Sequence, residues 1–326
     1  MVTGHEPESV SFVTGGLLAA PLAAEGQRVG KVRRIGSLGE GAPEALRQGL
    51  REAGYVEGPT LAIEWRSSEG KPERFDDLAA ELVRLKVDVI VATNPAATFA
   101  ARRATASIPI VMVNTPDPVQ LGLVASLGRP GGNITGLTFL GPELVPKRLE
   151  LLKETLPKVS RVAALWHPGA FSESTTQDMV QRTEGAAKIL GIKLQLIAAR
   201  SPDELDQAFA TIAKERVGAV IVFPSPMFFN ERQRIVDLGA KHRLPAMTNA
   251  REFVELGGLI SYGASLTDLN RRGAIYVDRI LNGARPGDLP IEQPSKFELL
   301  VNLKTAKTLG LTIPKIVILQ ADQVIE

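Results

Sequence analysis

Residues able to do chemistry cluster in this sequence just after short β-rich runs. They are Ser37 and Glu40 near the start, then Thr93, Asn94 and Ala96, then Thr115 and Asp117. A second group follows at Trp166 and His167, Phe223 and Ser225, Asn249 and Tyr262. Open α/β sheets bind ligands just beyond the carboxyl ends of their parallel strands, so this placement points to binding. Thr93-Asn94-Pro95-Ala96 is the strongest stretch. Asn94 suits an N-cap, Pro95 suits the first helical turn, and the free amides that follow can receive a carboxylate. Asp117 or Glu40 could pair an ammonium group, and the aromatic residues offer flat apolar faces. Taken singly, each residue is also a cap or a turn former; it is their accumulation on two sets of strand ends that argues for a small ligand held between them.

Other chemistries lack their residues. GGNITG has no lysine and is no phosphate loop, and Gly36, Gly39 and Gly41 have the wrong spacing for a dinucleotide fingerprint. No G-x-S-x-G elbow occurs. The three histidines, His5, His167 and His242, are scattered, which argues against a metal cage, and there is no cysteine for a thiolate site or a disulfide. With 38 basic and 36 acidic residues the net charge is only +2, too little for a phosphate-neutralising stripe, so no nucleic-acid partner is expected. No cofactor is expected either.

The elements that must position these residues follow a repeating plan. RRIGSL reads as a strand, APEALRQGLREAG as a helix, TLAIEW as a strand, PERFDDLAAELVRLK as a helix and VDVIVATN as a central, nearly all-apolar strand. AATFAARRATA and IPIVMVN add a helix and a strand. After a Gly-rich break at LGRPGGNITGLTF, suited to a crossover, the plan recurs in RVAALW, TQDMVQRTEGAAKILG, KLQLIAA, PDELDQAFATIAKER and GAVIVFPS. NERQRIVDLGAKH, LPAMTN, REFVELG and GLISYG extend this second copy. LTDLNRRGAIYVDRILNG reads as a long helix, and KFELLVNLKTAKTLGL adds a strand and short helices to the existing lobes. Length and composition, 326 residues with 44% hydrophobic and 23% charged, fit such a two-lobed α/β protein, each lobe a parallel sheet flanked by helices.

GLREAGYVEGPTLAIEWR, PIVMVNTPDPVQLGLVASLGRPGGNITGLTF, LPAMTNAREFVELGGLISYG and FELLVNLKTAKTLGLTIP resemble the substrate-binding proteins of ABC transporters of the tryptophan/tyrosine-type uptake family. The resemblance runs from about Val32 to Glu326, and PGGNITG and EFVELGGLISYG are its specific stretches. It implies a type I periplasmic-binding-protein fold, with crossover strands around a ligand cleft. The N-terminal lobe would take residues 28–138 plus about 264–294, and the C-terminal lobe 139–263 plus about 295–326. Residues 1–27 would be a signal-like segment or a disordered extension. FVTGGLLAAPLAAEGQ has the apolar core and, at Ala24-Glu25-Gly26, the small-x-small triplet of an export signal, but residues 1–27 contain no Lys or Arg.

The expectation is therefore a periplasmic, monomeric solute receptor. It would capture an amino acid or other carboxylate, possibly aromatic, by hinge closure and deliver it to a membrane ABC permease. Two alternatives remain open at the level of sequence: an enzyme using Asp117 as acid or base, and a ligand sensor for a signalling partner.

Overall fold

The protein is described by a computed structural model covering residues 1–4, 32–39, 43–69 and 71–326. The signal-like segment falls almost wholly outside these residues, as does Glu40.

The N-terminal lobe is built from β1 (Arg33–Leu38), α1 (Pro43–Glu52), β2 (Leu61–Arg66), α2 (Phe75–Arg84), β3 (Val89–Ala92), α3 (Pro95–Ala104), β4 (Ile110–Thr115) and β5 (Ile134–Thr138). Its five strands are all parallel, in the order β2-β1-β3-β4-β5. Val89, Ile90, Val91 and Ala92 of β3 are all buried, because a parallel strand covered on both faces must be apolar on both. One face packs Phe75, Leu78 and Leu82 of α2 and Ala97, Ala100 and Ala101 of α3 against Ile90 and Met112.

The chain then enters the C-terminal lobe through α4 (Val145–Thr155), β6 (Arg161–Trp166), α5 (Glu173–Ile189), β7 (Lys193–Ala198), α6 (Leu205–Lys214), β8 (Ala219–Val222), α7 (Pro226–Asn230), α8 (Arg232–Lys241), β9 (Ala246–Thr248), α9 (Arg251–Glu255) and β10 (Ile260–Ala264). The strand order β7-β6-β8-β9-β10 repeats that of the first sheet, so the two copies read from the sequence are copies in topology as well. α4 and α5 cover one face of this sheet; α6, α8 and α9 cover the other.

α10 (Leu266–Leu281) returns to the N-terminal lobe. Its Leu269, Ala274, Val277 and Leu281 meet Leu46 and Leu50 of α1 and Val111 and Val113 of β4, completing the second face of the first sheet. The chain crosses back a third time and finishes with β11 (Phe297–Asn302), α11 (Leu303–Leu309), α12 (Lys315–Gln320) and β12 (Gln323–Ile325). β11 pairs antiparallel to β10, and β12 parallel to β11, giving a seven-stranded second sheet.

The three crossings are bonded to one another. Thr138 N donates to Glu292 O at 2.9 Å, and Ser265 N donates to Lys296 O at 3.1 Å. No helix among the described residues is long and apolar enough to cross a membrane.

Candidate functional site

In each sheet the strand order reverses beside its first strand, and loops on either side of that point diverge to leave a crevice. In the N-terminal lobe the crevice lies between the ends of β1 and β3. Ser37 is buried in β1, one residue before the strand ends. Gly39, which follows, has φ +130, and a Cβ there would stand 2.2 Å from Thr93 Oγ1 and 3.2 Å from Asn94 Nδ2. Only glycine permits that backbone conformation and that approach together.

Asn94 caps α3 as its type predicts: its side-chain oxygen accepts from Ala97 N at 2.8 Å. Pro95 has no N–H, and Thr98 N donates to Asn94 O at 3.0 Å. The amide of Ala96, an exposed residue, is therefore the one that the first turn leaves open.

Thr115 lies deeper than its neighbours. It is fully buried, its hydroxyl sits 3.1 Å from that of Thr98, and its carbonyl accepts from Thr138 Oγ1 at 2.8 Å. It ties α3, β4 and β5 together beneath the crevice. Asp117 stays on the rim, where its Oδ1 accepts from Gln120 N at 3.1 Å. The pairing of β4 with β5 shifts between Met112 and Thr115, and Asn114 and Asp117 both hold positive φ, +65 and +38. Non-glycine residues in this region store strain of about 1–3 kcal/mol each, and two of them stand here within four residues of one another.

The C-terminal lobe furnishes its crevice differently. Trp166 ends β6 and His167 follows it, both half-buried, and the His167 ring meets Phe228 edge-on at 6.3 Å between centroids. His167 Nδ1 is buried without a hydrogen-bond partner. Ser225 caps α7, accepting from Phe228 N at 3.5 Å. Phe223 is buried in the core formed with α4 and α5, so it supports the crevice from below. Asn249, half-buried, follows β9, and Tyr262 of β10 stacks on Phe297 at 6.1 Å. Trp166, Phe171 and Tyr262 all pack as partly buried rings against the core beneath α4 and α5.

The rims of the two lobes touch. Gln120, beyond β4, accepts with Oε1 from Ser172 Oγ at 2.6 Å and from Thr175 Oγ1 at 2.7 Å, where α5 begins. This bridge joins the segment beyond β4 to the first turn of α5. Glu143, just past the first crossing, has its carboxyl pushed above the ordinary range, by desolvation first and then by Asp117 of the other lobe. A separate groove of about 990 Å³ runs between α4 and α5 rather than between the sheets.

Sequence reasoning missed two residues at this junction. Gln120 carries no pattern of its own. Arg148 does: with Val145, Leu149 and Leu152 it falls on the buried stripe of α4, where a charge is out of place. It is 0% exposed, donating from Nε to Tyr262 O at 2.6 Å and from Nη1 to Gly141 O at 2.9 Å. Burial pulls its guanidinium down to about 9, with Tyr262 and Glu143 opposing, which leaves it charged at neutral pH.

Known proteins share this architecture. The chain is 24% identical over 271 residues to the tyrosine-binding protein of Clostridioides difficile (strain R20291), covering 83% of this chain and 76% of the relative. It superposes on an ABC domain from Streptococcus pneumonia in complex with L-Trp with a TM-score of 0.79 and 28% identity, over 90% of this chain and 100% of that one. A conserved domain protein from Vibrio cholerae gives a TM-score of 0.78 and 28% identity over the same shares. An arabinose binding protein from Geobacillus stearothermophilus, with a TM-score of 0.58 and 11% identity, shares the fold alone. The fold is that of type I periplasmic binding proteins, as the sequence led us to expect. The profile of the family described as ABC transporter substrate binding protein matches residues 41–325. Nearly the whole chain is thus accounted for, and it belongs to the ABC transporter substrate-binding protein family.

Proposed function

We propose that this chain is an exported, monomeric receptor that closes on an amino acid with an aromatic side chain and presents it to a membrane permease. One observation carries the reading. The two sheets share a five-strand order and their rims are bridged at Gln120, and the strand ends carry polar residues in one lobe (Thr93, Asn94, Ala96, Asp117) and rings in the other (Trp166, His167, Tyr262), which supports a ligand held between them. A zwitterionic head with a flat apolar tail matches that division. The Ala96 amide and the start of α3 receive the carboxylate, Asp117 pairs the ammonium, and the rings take the side chain. The similarity to a tyrosine-binding protein and to an L-Trp complex supports the same ligand class.

Closure supplies the mechanism. Contacts made by both lobes exist together only when the lobes meet, so ligand shifts the open–closed equilibrium toward the closed form. A bridge between the rims such as that from Gln120 to Ser172 and Thr175 supports a closed form in which both lobes hold the ligand. No covalent step is needed. Export rests on the apolar run at residues 12–24 and its small-x-small triplet, and delivery to a permease rests on membership of the family.

Calorimetry on refolded, ligand-free protein against the twenty amino acids and their decarboxylated amines tests this. Tight binding of one or more aromatic amino acids, recovered unchanged, is expected. Conversion of the bound compound, abolished by Asp117→Ala, would replace the receptor with an enzyme.

A further inference from the structure

The start of α3 offers one open amide, at Ala96, whereas a carboxylate has two oxygens to satisfy once water is excluded. A buried donor without an acceptor exists at the hinge. Arg148 Nη2 is buried and has no hydrogen-bond partner, although Nε and Nη1 of the same guanidinium are both engaged. Their acceptors are carbonyls, so the positive charge has no ion-pair partner among the described residues. Glu143 acts on it only through space. An unpaired buried charge is costly, by several kcal/mol in real proteins.

The position of this donor is informative. Gly141 lies in the first crossing, and Tyr262 lies two residues before β10 ends at the second. A Cβ on the neighbouring Gly263 would stand 3.8 Å from Arg148 Nη2 and 2.0 Å from Asn249 O, and Asn249 belongs to the crevice edge after β9. Nη2 therefore lies closed off from solvent beside Gly263 and near Asn249, where β10 leads into the second crossing. Of the other partnerless buried atoms in this region, His167 Nδ1 belongs to a ring without a fixed charge, and Glu252 Oε2, which shares a small pocket with Asn249 and Gly263, can only accept, so Nη2 is the cationic donor left open.

We propose that Arg148 is a ligand-contacting specificity residue, whose free Nη2 donates to the carboxylate of an amino-acid ligand in the closed cleft. This rests on the receptor reading above and deepens it. It makes the guanidinium the charge that distinguishes an acid from its amide, while its other two bonds hold the fork to both crossing strands. Arg fits this task better than Lys, since its planar fork can serve two backbone carbonyls and still present a third donor.

The test compares L-tryptophan and L-tyrosine with L-tryptophanamide and L-tyrosinamide, by calorimetry, on wild type, Arg148→Gln and Arg148→Lys. Wild type should prefer acid over amide by about 100-fold or more. Arg148→Gln should lose about that factor for the acid and change by less than about threefold for the amide, with Arg148→Lys in between. Equal losses for acid and amide would reduce Arg148 to a support of the hinge and overturn the proposal. So would a wild type that binds both alike. If wild type binds none of the four, the amino-acid reading itself falls. If acids bind with unchanged affinity to Arg148→Gln, that reading stands and only this proposal is lost. Should the variants fail to fold, arginine side-chain NMR of the wild type decides. One guanidinium signal, assigned through bonds to Arg148, should shift and gain exchange protection with the acid but not with the amide; no change would overturn the assignment.

Discussion

At the N-terminal switch point Gly39 presses on Thr93 and Asn94, whereas at the C-terminal one the matching loops bring His167 against Phe228 and leave Trp166 half-buried. The topology on either side is the same. What differs is side-chain size: small and hydroxyl-bearing residues line one switch point, and rings stand at the other. A duplicated plan can thus treat the two ends of one small molecule differently without changing its strand order.

Four measurements can break or sharpen this contrast. The largest effect is expected from Gly39→Val, which combines positive φ with a collision at Thr93. It should cost about 3 kcal/mol in urea unfolding, and an unchanged midpoint would show that the close approach is not rigid. Next, Trp166→Ala should weaken aromatic amino acids by roughly 30-fold and aliphatic ones by less than about threefold. Equal losses would remove the division of labour between the lobes.

Gln120→Ala removes the bridge at Ser172 and Thr175 without touching either crevice. It should speed ligand release about fivefold in stopped-flow and enlarge the ligand-free radius of gyration in small-angle scattering. An unaltered release rate would mean that the bridge adds nothing to closure.

The smallest effect concerns Glu143. Its carboxyl titrates above the ordinary 4.5, through desolvation and then through Asp117 across the cleft. Glu143 therefore holds its proton more firmly than a solvated carboxyl does. Lowering the pH toward its raised range relieves the repulsion and should raise affinity by no more than about threefold, because water still reaches much of the residue and screens the charge. Glu143→Gln should abolish the trend; a trend that persists belongs to another group.

Much of the fold was legible because periodicity is a local signal. RRIGSL and RVAALW coincide with β1 and β6, and the two-copy order emerged from alternation alone. Helix starts were less clear: α5 begins at Glu173, three residues before the expected TQDMV, since its cap at Ser172 precedes any apolar residue. The Gly-rich break read as a crossover holds a whole strand, β5, whose five residues are all buried, and the crossing begins only after it.

The site was legible to the level of strand ends and no further. Asn94 behaves as its residue type dictates, whereas the hydroxyl of Thr115 and the ring of Phe223 turn into the fold, a matter of depth that spacing does not encode. Arg148 stayed hidden for the opposite reason. A charge within an amphipathic helix suggests solvent until tertiary packing shows that the stripe it occupies is interior.

The return of α10 to the first lobe has a consequence for the order of assembly. Its partner α1 ends roughly 200 residues earlier, so the first sheet leaves the ribosome with one apolar face covered only in part, by α1. That face stays partly open until the second lobe has been almost wholly synthesised. Closing so long a loop is entropically slow, and exposed sheet surface invites misassembly meanwhile. The nascent N-terminal lobe should consequently remain soft and chaperone-dependent until residue 281 emerges, and the two lobes should gain stability together rather than one after the other.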